Sequence, residues 1–358
     1  MPSSTGILKM TPILGGLIAT PTCSGIVYTL CFLRTRRRIK AKEESANCLC
    51  SKLDSCARLQ KNGQIYAVYH NKINLLPCDK QEQGCLDIFH ELFAVIQHNC
   101  GLPHASCSTG NAWFLDLGCR TGFRAIDSAK RYPNSYVLGV DIIATQPPNH
   151  PLNCEFSTPF DFEWNWVKQE DLWNLIHLQL GCGGMSDWPS VYHQANAHLH
   201  PSDWFEQLKI DFEPCCDNSS LNGMTLPYWY QQLKKATEKL GHPLAHSFHE
   251  TVAELCKAGF AEILHSCIKL LLSPWHLDVW SRNIGCWYNL TITQSIKTLS
   301  LALFSHVFGW PLSTIQHLAA DVKSDILQTC VCSYNILHAY RARKSNWWWR
   351  FWQNIGWN

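Results

Sequence analysis

The sequence is poor in charged residues and has almost no charge imbalance. Asp, Glu, Lys and Arg make up 16% of its 358 residues, and the formal net charge is +2. So weakly basic a chain lacks the positive surface with which general nucleic-acid binders neutralise phosphates, and direct nucleic-acid binding is therefore not expected. The 46% hydrophobic content suffices for a substantial core, which argues against long disordered tracts.

The 19 cysteines include no Cys-x-x-Cys pair. The nearest approaches are Cys48-x-Cys50, Cys215-Cys216 and Cys330-x-Cys332, and none has zinc-finger spacing. Ligand spacing is also absent among His198, His200, His242, His246 and His249. The cysteines are spread along a chain too long for a disulfide-stapled mini-domain. The sequence therefore predicts reduced, mostly structural thiols and no metal site.

The N-terminal leader contains an uncharged stretch, 12–33, followed by a basic cluster at 34–40. The stretch is long enough to cross a bilayer, and the basic flank would leave the rest of the chain in the cytoplasm. Prolines and glycines dilute it, so a flexible leader is the other interpretation. The basic cluster also resembles a nuclear-import signal. The expected location is cytoplasmic or nuclear, with a single-pass membrane anchor as the alternative.

The main body of the chain alternates between strand-like and helix-like segments. Apolar runs at 112–117, 136–140, 172–178 and 204–212 predict strands, and helices are predicted at 123–131 and 187–198. Such alternation predicts a parallel sheet with helices on both faces. Mainly helical sequence follows residue 214, apart from a candidate strand at 261–271, and predicts a helical cap. An amphipathic helix is expected at 79–98. The predicted domains are a leader (1–45), an N-terminal helical region (46–105), the α/β domain (106–345) and an aromatic tail (346–358).

One turn carries most of the chemical information. The sequence DLGCRTG, residues 116–122, lies between the first predicted strand and its helix. Gly118 allows a sharp turn, and Gly122 allows the helix to begin close to a ligand. Asp141 ends the next strand, about twenty residues later, where a carboxylate can accept hydrogen bonds from a ribose. Asp116, at the end of the first strand, can orient the turn or reach an ammonium group of the ligand. The pattern predicts a nucleoside-cofactor site, and it is nearer to the turn of S-adenosylmethionine sites than to that of NAD sites.

Longer stretches narrow the interpretation. They include FLDLGCRTGFRAIDSAKRYPNSYVLGVDI, ATQPPNHPLNCEF and NLIHLQLGCGGMSDWPSVYHQANAHLH, within a matching region of about 72–340. In order and spacing they resemble the fungal LaeA-type S-adenosylmethionine-dependent methyltransferases, a class I Rossmann-like family linked to secondary metabolism. The resemblance implies that Asp116, Gly118 and Gly122 form the cofactor turn. It also implies that Asp141 binds the ribose and that Asp161 lies near the adenine.

The chain departs from the family pattern at several positions. Arg120 replaces the middle glycine of the turn, and Gln179 stands where arginine is frequent. After Tyr340 the family's last strand is replaced by RARKSNWWWRFWQ, which leaves the completion of the sheet open. Because a side chain at 120 would lie where backbone and cofactor nearly touch, we expect weakened rather than abolished cofactor binding.

Two function classes are compatible with these features. One is an active methyltransferase that acts on a small-molecule acceptor or a regulatory protein partner. The other is a methyltransferase-like regulator that uses the fold for binding. In the first, alignment of donor and acceptor supplies much of the acceleration. His177, near the end of a strand, is the candidate general base, and a structural or substrate-orienting role is its alternative.

Overall fold

The computed structural model describes residues 57–69, 72–99, 111–164, 166, 172–181 and 183–346. The predictions of a leader, of a membrane-spanning stretch at 12–33 and of an aromatic tail after residue 346 concern residues outside these ranges. Among the described residues, no helix combines the length and the apolar character needed to cross a bilayer.

A seven-stranded sheet forms the centre of the fold. Its spatial order is β6-β5-β4-β7-β8-β10-β9, and all neighbours up to β8 pair in parallel. The strands are β4 (Trp113–Leu117), β5 (Tyr136–Val140), β6 (Cys154–Ser157), β7 (Trp173–Gln179), β8 (Leu199–Cys216), β9 (Phe260–Leu271) and β10 (Ser333–Lys344). The chain runs outward from β4 through β5 to β6, then crosses to β7 on the other side. Parallel sheets bind ligands at such a switch point, between the carboxyl ends of the two diverging strands. The predicted Rossmann-like α/β class is confirmed.

The last strand completes the sheet despite its unusual sequence. β10 inserts between β8 and β9 and pairs antiparallel with both. Tyr340, for example, lies opposite Gln207 of β8 and His265 of β9. The departure from the family pattern after Tyr340 therefore does not remove the strand.

The helices carry the apolar faces that cover the sheet. They are α1 (Lys80–Asn99), α2 (Phe123–Arg131), α3 (Trp188–His198), α4 (Thr225–Lys239), α5 (Phe248–Lys257), α6 (Val279–Val307) and α7 (Leu312–Leu327). α3 begins at a side-chain cap, because the Asp187 carboxylate accepts a hydrogen bond from the Ser190 backbone N–H at 3.0 Å. α1, α4, α6 and α7 share one hydrophobic cluster with β8, β9 and β10.

The aromatic residues of this helical cap divide between core and surface. Trp229 and Tyr288 are fully buried, and the Trp229 indole N–H donates to the Ser300 hydroxyl at 2.8 Å. Tyr228 and Trp287 are exposed. Trp229 and Tyr288 therefore belong to the hydrophobic core.

The region before the sheet is not only helical. β1 (Ala57–Lys61), β2 (Gln64–Tyr69) and β3 (Lys72–Pro77) form a separate antiparallel sheet, and only then does α1 begin. The prediction of a helical region over 46–105 missed these strands. The sequence signal for a hairpin is Asn62-Gly63, which forms the turn between β1 and β2; both residues have positive φ.

Candidate functional site

The turn between β4 and α2 has the backbone of a ligand-binding loop. Gly118, Arg120 and Gly122 have φ of 64°, 52° and 79°, in the left-handed region that glycine adopts without strain. A Cβ on Gly122 would lie 2.6 Å from Cζ of Phe156, so the position has no room for a side chain. The segment thus needs glycine at 118 for conformation and at 122 for both conformation and space.

Arg120 occupies the switch point between β4 and β7. Its guanidinium Nη2 donates to the Leu180 carbonyl, just beyond β7, at 3.0 Å. Its carbonyl accepts hydrogen bonds from the Thr145 hydroxyl at 2.9 Å and from the Gln146 amide. The side chain therefore lies in the cleft and lines it.

Asp141 holds the backbone of the turn. Its two carboxylate oxygens accept hydrogen bonds from the backbone N–H groups of Arg120 at 2.8 Å and of Ile143 at 2.9 Å. Burial raises the pKa of this carboxyl, whereas the two hydrogen bonds act in the opposite direction. A carboxylate has about four lone-pair sites, so these bonds leave capacity for a ribose hydroxyl.

Three buried ionisable side chains form a row across neighbouring strands, and the partly buried Arg124 of α2 joins them. Asp116, His177 and Glu206 occupy paired positions on β4, β7 and β8. Arg124 of α2 lies 3.9 Å from the Asp116 carboxylate and 3.4 Å from that of Glu206, which is in turn 3.6 Å from Nδ1 of His177. Arg124 thereby fixes the first turn of α2 over the strands.

The pKa values in this row follow from burial. Burial raises the pKa of Asp116 to about 6, against the opposing effect of Arg124. Burial, with Arg124 acting in the same direction, lowers the pKa of His177 to about 4. His177 is only 3% exposed, so its neutral imidazole does not present itself to an acceptor. Its position favours the structural role that the sequence left open over the role of general base.

The N-terminal helix α1 supplies a wall of the cleft that the sequence did not predict. Leu86 and His90 line the cleft together with residues of the β4–α2 turn. Nε2 of His90 lies 2.9 Å from the Asp127 carboxylate, which orients the imidazole. Burial raises the pKa of Glu82, also on α1, to about 7, and the positive charge of Arg120 opposes that rise. Nothing local in the sequence identified these residues, because their relation to the cleft depends on tertiary packing.

The structure brings together most, but not all, of the predicted site residues. Asp116, Gly118 and Arg120 line the cleft, as does Gln179 at the end of β7. Gly122 ends the same turn and Asp141 is hydrogen-bonded to its backbone, although neither is among the cleft-lining residues. Asp161 is also absent from the cleft lining, and its carboxylate accepts from the Glu163 backbone N–H at 3.0 Å; the preceding residue, Phe160, donates its backbone N–H to the Asp141 carbonyl at 2.7 Å. A role for Asp161 near an adenine therefore stays a prediction.

Comparison with known proteins gives relatives over most of the chain. A secondary metabolism regulator laeA from Aspergillus fumisynnematus is 52% identical over 285 residues, which are 80% of this chain and 76% of that protein. The protein-methionine methyltransferase laeA of Emericella nidulans matches with the same identity and coverage. No family model matches. Among solved structures, phosphoethanolamine N-methyltransferase 2 of Haemonchus contortus, bound to phosphomonomethylethanolamine and S-adenosylhomocysteine, is 11% identical. It covers 84% of this chain and 73% of its own, with a TM-score of 0.47.

Proposed function

The chain belongs to the LaeA family of secondary metabolism regulators, and on that premise we propose that it is an S-adenosylmethionine-dependent methyltransferase acting in that regulation. The observation that carries the proposal is the crevice at the β4/β7 switch point. There a left-handed glycine turn, an acid at the end of β5 and the first turn of α2 come together. Backbone N–H groups at such a helix start suit a polar or anionic ligand group.

The cofactor would supply an electrophilic methyl carbon, and the residues of the chain would bind and orient it. Gly118 and Gly122 would let the backbone approach it closely, and Asp141 would accept hydrogen bonds from its ribose. Arg120 has two roles open to it. Its guanidinium either moves aside from Leu180 when the cofactor enters or turns to pair with the carboxylate of the cofactor's methionine portion.

The acceptor decides whether a base is needed. One relative is named as a protein-methionine methyltransferase. A thioether attacks through a sulfur lone pair and has no proton to lose, so alignment alone suffices for it. A hydroxyl or amine acceptor would lose a proton, and His90 is the cleft-lining imidazole that could take it. Activity that survives His90→Gln would favour a protein thioether over a small-molecule hydroxyl or amine.

A binding protein without turnover is the second function, and Arg120 is the observation that favours it. The arginine occupies part of the crevice, and hydrogen bonds hold both its backbone N–H, to Asp141, and its guanidinium, to Leu180. In such a protein the fold would hold a regulatory protein partner instead of transferring a methyl group.

Calorimetric titration with S-adenosylmethionine and S-adenosylhomocysteine separates the two functions. Binding of both ligands, together with transfer of a labelled methyl group to an acceptor, would support the enzyme. No binding by the folded wild-type protein and none by Arg120→Gly would rule the enzyme out and leave the regulator.

A further inference from the structure

A cluster of three potential metal ligands lies on the outer strands of the sheet, away from the crevice between β4 and β7. We call His265, Cys267 and His338 the histidine–cysteine cluster. His265 and Cys267 are two residues apart on β9 and therefore point to the same face of the sheet. His338 of β10 lies directly opposite Cys267 in the antiparallel register. The cross-strand pairing thus brings all three side chains together.

The distances among the three donor atoms are those of a metal site. Nε2 of His265 lies 3.0 Å from Nδ1 of His338, and Sγ of Cys267 lies 3.4 Å and 3.6 Å from these two nitrogens. Tetrahedral Zn²⁺, with bonds of about 2.0–2.1 Å to nitrogen and about 2.3 Å to sulfur, requires nitrogen–nitrogen and nitrogen–sulfur separations of roughly 3.4 and 3.6 Å. Bringing an ion between the ligands therefore needs shifts of only a few tenths of an ångström.

Neighbouring side chains hold the ligands in place. The Phe248 ring packs on His265 with centroids 4.6 Å apart, and the His246 ring packs on His338 at 4.0 Å. His246 is in turn hydrogen-bonded through Nε2 to the Tyr340 hydroxyl at 2.9 Å. Such outer contacts fix the orientation of ligand rings in metal sites.

Burial, with the nearby His265, lowers the pKa of His338, and burial also lowers the pKa of His265. Burial raises the pKa of the Cys267 thiol, which opposes the thiolate form. The geometry of the three donor atoms, and not their titration, therefore indicates the metal site. Cys267 is exposed, and its thiol would bind as the thiolate, releasing one proton to solvent.

We propose that His265, Cys267 and His338 bind a Zn²⁺ ion, with the fourth position open on the exposed side of Cys267. Two nitrogens and a thiolate are a donor set that zinc accepts readily. The sequence predicted no metal site because its closely spaced cysteines and histidines lack the spacing of zinc ligands. Here two ligands come from a His-x-Cys alternation on one strand, and the third lies on another strand 71 residues beyond Cys267, paired with it only in the folded sheet. Such a site would link the edge strand β9 to β10 through the bound metal ion.

Metal analysis of the full-length protein tests the proposal. The protein is stripped with a chelator, loaded with ZnCl₂, freed of excess metal and assayed for zinc per chain. We expect Cys267→Ser and His338→Asn each to lose about one equivalent relative to the wild type. Cys256→Ser removes an exposed free cysteine outside the cluster and is the matched control. This control should lose no zinc. Because other cysteines of the chain can bind background zinc, only a loss confined to Cys267→Ser and His338→Asn supports the site.

Cobalt supplies an independent measurement. Co²⁺ in place of Zn²⁺ should give a sulfur-to-metal charge-transfer band that Cys267→Ser removes and Cys256→Ser retains. Because Cys267 is exposed, its substitution should leave the fold intact, which circular dichroism checks. Equal zinc content and equal cobalt spectra in the wild type and Cys267→Ser would overturn the proposal, as would a wild type that retains no zinc.

Discussion

Removal of the Arg120 side chain is the sharpest test of the crevice. In the structure the guanidinium lies in the cleft that we propose for the cofactor and donates a charge-assisted hydrogen bond to the Leu180 carbonyl. Hydrogen bonds to charged groups contribute about 1.5–3 kcal/mol. If the cofactor has to break this bond on entry, Arg120→Gly should tighten S-adenosylmethionine binding by roughly ten- to a hundredfold.

Comparing the stabilities of Arg120→Gly and Arg120→Ala separates the contribution of the side chain from that of the backbone conformation. Arg120 has φ of 52°, and an L-residue in that region carries about 1–2 kcal/mol of strain that glycine avoids. Arg120→Ala removes the guanidinium but keeps this strain. Both variants should therefore bind the cofactor more tightly, while Arg120→Ala should be less stable than Arg120→Gly by about 1 kcal/mol.

Calorimetric titration gives the affinities, and thermal unfolding gives the stabilities. Arg120→Lys is a useful third variant, because it retains a positive charge without the planar fork that pairs with a carboxylate. Weaker binding by Arg120→Gly and Arg120→Ala alike would refute the reasoning. It would mean that the guanidinium is a contact of the cofactor and not an obstacle to it.

Three further variants test other parts of the site. If Asp141 binds the ribose, Asp141→Ala should lower cofactor affinity about tenfold to a hundredfold by calorimetry, because it would lose charge-assisted hydrogen bonds. Unchanged affinity in a folded variant would remove Asp141 from the site. Gly122→Ala should lower the melting temperature, because φ at this position is 79° and the added Cβ would lie 2.6 Å from the Phe156 ring. The expected loss of stability is about 1–3 kcal/mol. An unchanged melting temperature would show that the turn can rearrange to accept a side chain. Burial raises the pKa of Glu82 from 4.5 to about 7, so the native state binds more protons than the unfolded state between these values and loses stability as pH rises through them. Glu82→Gln should therefore gain stability relative to the wild type between pH 5 and pH 8, by about 3 kcal/mol, and parallel pH curves of thermal unfolding would contradict the assignment.

Local sequence patterns were sufficient for the α/β framework. The boundaries of β5 and α2 agree with the sequence prediction at both ends, because strand and helix periods and the Tyr132-Pro133 stop are local signals. The glycine turn and Asp141 were identified for the same reason. The strands β1 to β3 were missed although Asn62-Gly63 marks their hairpin, since the helical pattern of α1 dominated the interpretation of the region.

Features that depend on tertiary packing could not be predicted from local sequence patterns. The position of His177 on a strand was predicted, but its enclosure beside Glu206 depends on the register of β7 with β8. The contribution of His90 to the cleft depends on where α1 packs. The histidine–cysteine cluster needs the pairing of β9 with β10, which no spacing rule within the sequence reveals.

The insertion of β10 between β8 and β9 also bears on how the protein is made. β8 and β9 are synthesised well before β10, which pairs with both of them. The strand edges that β10 covers therefore stay unpaired until residues 333–344 have been synthesised. Unpaired strand edges in partly synthesised chains promote aggregation. A message truncated before codon 333 would yield a polypeptide that keeps the whole glycine turn yet cannot close its sheet. Such a product would be a substrate for chaperones and proteases, not a weakened version of the protein.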